Sequence, residues 1–63
     1  MPHNNLKVLR NQKNVTIRQL AEAIGVSFQM IWGYEHGKKK MSLSRAAQIA
    51  GFLGCTIEDL IKE

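Results

Sequence analysis

The side chains of this sequence with chemistry to offer are mostly cations. Lys38, Lys39 and Lys40 form one unbroken run, and Arg10, Lys13 and Arg18 stand upstream on segments that read as helices. Clustered ammonium and guanidinium groups attract polyanions. Nine Lys and Arg against five Asp and Glu leave a formal charge of +4, which suits such a partner. Groups for covalent chemistry do not occur as sets. There is no phosphate-cradling P-loop, no paired carboxylate constellation and no Cys/His or Ser/His arrangement. His36 has no second His or Cys at ligand spacing, so it reads as a polar, loop-facing residue rather than a metal ligand. His3, at the terminus, carries no information. The expectation is a non-enzyme with no cofactor, no metal and no small-molecule substrate.

Sixty-three residues predict one domain over 1–63, small enough that assembly with a second copy would help its stability. A hydrophobic content of 44% is ordinary for a globular domain. No apolar stretch is long enough to cross a bilayer, and Met1 to Lys7 has no signal-peptide core. The single Cys55 cannot bridge to another cysteine of the chain, which fits a reduced thiol and a cytoplasmic location.

Apolar residues recur at three- and four-residue spacing, and no alternating run supports a strand. One helix-start pattern repeats. Thr16 can cap a helix with Gln19 reaching back and Val15 packing towards Leu20; Thr56, Asp59, Cys55 and Leu60 repeat the arrangement. Ser27 supplies a cap, with a Val26/Ile31 staple but no box, and Ser42 gives a weaker version with Met41 and Ala46. A first helix starts near Asn4 or Asn5 and ends by Asn14, which can take the left-handed closing conformation. Five helices follow, near 5–13, 17–24, 28–36, 43–53 and 57–62. The expected core is Leu6, Leu9, Leu20, Ala21, Ile24, Val26, Ile31, Tyr34, Leu43, Ala46, Ala47, Ile49, Ala50, Leu53 and Leu60.

Between Ile17 and His36 the pattern tightens. Leu20, Ala21, Ile24, Val26, Ile31 and Tyr34 fall where two crossing helices must meet. Ala21 is small where the second helix comes close, and Gly25 can take the positive φ that lets the chain re-enter a helix within a few residues. Here the sequence resembles the phage Cro and repressor-type helix-turn-helix family. The likeness runs from Leu6-Lys7-Val8-Leu9-Arg10 through Thr16, Leu20-Ala21, Ile24-Gly25-Val26-Ser27 and Ile31. It continues to Glu35-His36-Gly37-Lys38, Ile49-Ala50, Leu53-Gly54 and Leu60. The resemblance implies an all-α, compact five-helix domain of lambda-repressor type whose third helix enters the DNA major groove. It also implies an Arg10–Glu35 ion pair. Two features depart from the family: Met41 stands where a proline is usual, and Phe28, Trp32 and Gly33 replace commoner polar residues.

For a helix docked in this way, the N-terminal residues point at base edges. Ser27, Phe28, Gln29 and Met30 occupy that turn, followed by Trp32, Gly33 and His36. Gln29 is the best base reader, since its amide can bridge adenine N6 and N7, while Phe28 and Met30 can press on thymine methyls. Phe28 is equally open to a core role, and Trp32 to either a backbone contact or a structural one. Gly33 would allow close approach to DNA. Thr16 and the free N–H groups at the start of helix 2 form an anion site with Arg18 and Gln19 nearby, and Lys38, Lys39 and Lys40 would clamp the phosphate backbone. The partners expected are double-stranded DNA and a second copy, the latter because Phe52, Ile57 and Ile61 fall outside the core. The expected function is a transcriptional regulator of repressor type. The alternative is an antitoxin- or adaptor-type module whose Phe28/Met30/Trp32 surface meets a protein.

Overall fold

The structure, a computed structural model, describes residues 4–61; His3 and the predicted end of the last helix at 62 lie outside them. Five helices follow one another: α1 (Leu6–Gln12), α2 (Ile17–Ile24), α3 (Phe28–Glu35), α4 (Leu43–Leu53) and α5 (Ile57–Ile61). Each is found within about a residue of its expected place where the ends are described, and no strand occurs among the described residues.

Local side chains set the helix starts. At α2 the Gln19 amide donates to Thr16 Oγ1 at 3.0 Å, and the Thr16 amide donates to Gln19 Oε1 at 2.9 Å, closing the box in both directions. Thr56 and Asp59 do the same before α5, at 3.0 and 3.3 Å. Ser27 and Ser42 each accept one amide, from Met30 and Arg45. Asn14 closes the α1 end with φ 58, as its residue type suggested. Gly25, at φ 74, ends α2, and the next amide, of Val26, donates back to Ala21 O at 2.9 Å. A side chain at Gly25 would strain this turn, because L-residues rarely hold that backbone conformation.

The helices close on one core. α2 packs on α3 and α4, α4 on α5, and α1 on α3 and α5. Leu6, Leu20, Ile31, Ile49 and Leu60 have no accessible surface, and Ala21, Tyr34, Ala46, Ala50 and Leu53 are buried around them. Leu9, Ile24 and Val26 pack on this cluster half-buried. Two expected core residues lie outside it. Leu43 is 71% exposed, because it stands on the first turn of α4, before the buried stripe Ala46, Ile49, Ala50 and Leu53 begins. Ala47 is exposed one position to the side of that stripe. Conversely, Ile57 packs half-buried against the core, whereas Phe52 and Ile61 remain exposed.

The expected ion pair is present. Arg10 Nε meets Glu35 Oε2 at 2.6 Å and Nη2 meets Oε1 at 3.3 Å, while Nη1 donates to the Val15 carbonyl at 2.8 Å. The side chains are 10% and 1% exposed, so water screens the pair little. Removing one partner strands a buried charge. Glu35→Ala or Arg10→Ala is expected to lower the unfolding free energy by about 3 kcal/mol, and exchanging both for apolar residues should recover most of it. Urea titration followed by circular dichroism checks both. Gly51 lies within α4 with nothing within 4 Å of where a Cβ would stand. Gly51→Ala should therefore raise stability by about 1 kcal/mol in the same titration.

Candidate nucleic-acid interface

The crossing of α2 and α3 sets the candidate interface. α2 packs its buried Leu20 and Ala21 inward, and the Gly25 turn delivers Ser27 as the cap of α3. Ile31 and Tyr34 bury the inner side of α3. Ser27, Phe28, Gln29 and Trp32 are left exposed on the outer side.

The open questions about the apolar residues of α3 resolve in different ways. Phe28 is 44% exposed and stands outside the buried core. Met30 packs half-buried on that core, so only part of it remains available to a partner. Trp32 is 40% exposed and stacks on His36, with ring centroids 3.8 Å apart and planes 14° from parallel. His36 Nδ1 lies 2.9 Å from the Trp32 carbonyl oxygen. A carbonyl can only accept, so the Nδ1 position carries the proton. In the neutral ring the other nitrogen, Nε2, is then an acceptor. His36 is thus an exposed partner to Trp32 at the end of α3.

Gly33, expected to allow close approach to DNA, is buried. A Cβ there would stand 3.0 Å from Lys39 Cγ and 3.1 Å from Cδ. The space left by the missing side chain is filled from within the chain.

The flanking cations are exposed: Arg18 on α2, and Lys38, Lys39 and Lys40 after α3. The lysine segment is fastened to the helix it follows. Gly37 turns at φ 69, and the Lys38 and Lys39 amides donate to Gly33 O at 2.8 and 3.2 Å. With the Gly37 amide directed at Tyr34 O at 3.4 Å, this closes the helix by a Schellman-type pattern. At the start of α2, the capping box occupies the Gln19 amide and the Thr16 hydroxyl acceptor. The first intrahelical bond of this segment runs from Leu20 N to Thr16 O, so the Ile17 and Arg18 amides are the donors left for an anion.

Sequence reasoning missed one positioning residue. Asn4 Nδ2 donates to the Tyr34 carbonyl at 3.0 Å and its Oδ1 accepts the Leu6 amide, tying the start of α1 to α3. Its type before a helix signals a cap; nothing local signals the bond to a residue thirty positions away. With Lys38 to Lys40, Met41 and Tyr34, Asn4 borders an open cleft of about 400 Å³. Burial, then the nearby Asp59 carboxylate, push the Cys55 thiol above its usual range, with Lys13 acting the other way. No three His, Cys, Asp or Glu side chains converge on a metal-sized site among the described residues. No helix there is long and apolar enough to cross a membrane.

With this geometry the comparisons with known proteins agree. A family model described as helix-turn-helix matches residues 6–60, and the chain belongs to that Cro/C1-type family. It is also 46% identical over 57 residues to a protein of Methanocaldococcus jannaschii, covering 90% of this chain and 86% of the relative. That relative is named an uncharacterized HTH-type transcriptional regulator.

Thr16 caps α2 beside the Ile17 and Arg18 amides. Thr16→Ala is expected to lower the thermal midpoint by an amount equivalent to about 1 kcal/mol. Thr16→Ser, which keeps the accepting oxygen, should melt as the parent does.

Proposed function

We propose that this chain is a sequence-specific duplex-DNA-binding transcriptional regulator that reads the major groove with α3. The observation carrying this reading is the pairing of an exposed, Ser27-capped turn on α3 with exposed cations beside it. Gln29 is exposed on that turn, and Lys38 to Lys40 follow the same helix. The membership of the helix-turn-helix family and the regulator relative support it.

The roles divide by chemistry. Gln29 reads a base edge, with adenine as its natural match, and Phe28 covers a neighbouring thymine methyl. Trp32, braced by His36, lies against sugar or phosphate. Arg18, the first amides of α2 and the three lysines hold the phosphates, adding affinity without reading sequence. A single domain of this size covers a half-site, so regulation as a repressor would use two copies a helical turn apart. Phe52 and Ile61, apolar and exposed, are the residues offered for that pairing.

A second reading has its own observation. Phe28 and Trp32 are both large, apolar and exposed on the same helix, which would suit an antitoxin or adaptor meeting a protein. Gel shifts on duplex DNA over a salt series separate the two. DNA binding through these cations predicts affinity that falls steeply with salt. Binding indifferent to salt, or none on duplexes selected from a random pool, would favour the protein partner. On a selected site, Gln29→Ala should relax preference at about one base pair, and Lys39→Ala should weaken all sequences alike. Equal effects of the two on every sequence would refute this division of roles.

A further inference from the structure

Gly33 and Lys39 meet where the loop that closes α3 folds back on the helix. A glycine within a helix is unfavourable by itself, and Gly33 lies in the last turn of α3. Its neighbour is the aliphatic stem of Lys39: a Cβ on Gly33 would lie 3.0 Å from Cγ, 3.1 Å from Cδ and 3.5 Å from Cβ. Those distances are below or at the lower edge of ordinary carbon contact. The backbone adds to this, because both the Lys38 and Lys39 amides donate to the Gly33 carbonyl. One residue of α3 therefore holds the returning loop by its oxygen and the lysine stem by its missing side chain. Gly51, the other glycine within a helix of the described residues, has open space at the same place.

We propose that Gly33 is a positioning residue for Lys39: it seats the lysine stem on α3 and thereby fixes the ammonium as a phosphate clamp in register with the reading turn. Resting on the DNA-binding reading above, this adds a specific device to it. A lysine stem normally retains much rotamer freedom, and immobilising it on binding carries an entropic cost. A stem already laid against the helix has part of that freedom removed beforehand. Cation and reading turn also move as one body, because the seat is on the reading helix itself. A side chain at position 33 would lift the stem and return Lys39 to a swinging loop lysine.

The test is a double-mutant cycle with Gly33→Ala, Lys39→Ala and both together, measured by fluorescence anisotropy on a duplex selected by the parent protein. Gly51→Ala serves as the control for adding a methyl to a helical glycine. Gly33→Ala should lose about three- to tenfold in affinity, within the range of one weakened charged contact, with a shallower salt dependence. The loss should disappear in the Lys39→Ala background, and Gly51→Ala should bind as the parent. Unchanged affinity for Gly33→Ala, or a loss that persists without Lys39, would overturn the proposal while leaving DNA binding intact. Absence of DNA binding by the parent would overturn the functional reading and the clamp with it. In the free protein, nuclear Overhauser contacts between the Lys39 methylenes and Gly33 Hα are expected; their absence overturns the seat independently of any DNA. If Gly33→Ala fails to fold, recovery of the fold on adding Lys39→Ala supports the contact, and failure to recover refutes it.

Discussion

The guanidinium of Arg10 joins three parts of the chain that no helix propensity would bring together. Its Nε and Nη2 engage Glu35 at the end of α3, and Nη1 holds the Val15 carbonyl in the segment that leads into α2. Arginine suits this place because its planar fork can address a carboxylate and a carbonyl at once, which a lysine ammonium cannot do with fixed geometry. Burial makes the arrangement demanding. A charge withdrawn from water is tolerated only with its partners in place, so the pair acts chiefly by excluding other placements of α1 against α3. The Asn5 amide donating to Leu60 O at 2.9 Å adds a second tie, from the start of α1 to α5. The position of α3, and hence of every side chain on its outer side, depends on these few polar bonds as well as on the core.

What could be read from the sequence followed from short-range rules. Capping boxes, the left-handed Asn14 and the Gly25 turn involve residues within a few positions of each other, and the side-chain chemistry that makes them is visible in the residue types. The buried stripe of α4 was also legible from its spacing, except at the edges. Leu43 has the right chemistry for the core but lies on the first turn, where no neighbour covers it; periodicity reports a face, and coverage depends on what packs there. Ile57 shows the reverse case. The Arg10–Glu35 pair was legible only through resemblance, since a 25-residue separation leaves no local signal.

The candidate interface was legible in its residue types and less so in its details. The exposure of Gln29, Arg18 and the three lysines agrees with their polarity. A glycine in a helix such as Gly33 announces only that something comes close, and both DNA and another part of the chain fit that description. The closing loop of α3 turned out to occupy the space. Asn4 was missed for a similar reason: its short-range bond to Leu6 is a familiar helix-start device, and its long-range bond to Tyr34 depends on the tertiary placement of α3.

The eight residues of α3 explain why its outer side is so apolar. The helix buries Ile31 and Tyr34, leans Met30 on the core and presents Gln29 outward. Phe28 and Trp32 remain; Phe28 has no polar atom, and Trp32 only its indole N–H. Trp32 covers part of its apolar face by stacking with His36, whose Nδ1–H is directed at the Trp32 carbonyl. Phe28 has no such partner in the buried core. A chain this small can bury few large side chains, so leaving two aromatics outside forgoes stability that an inward arrangement would supply. Such exposure is characteristic of a surface completed by something else. The exposed lysines beside it add charge that a purely apolar protein contact would not require.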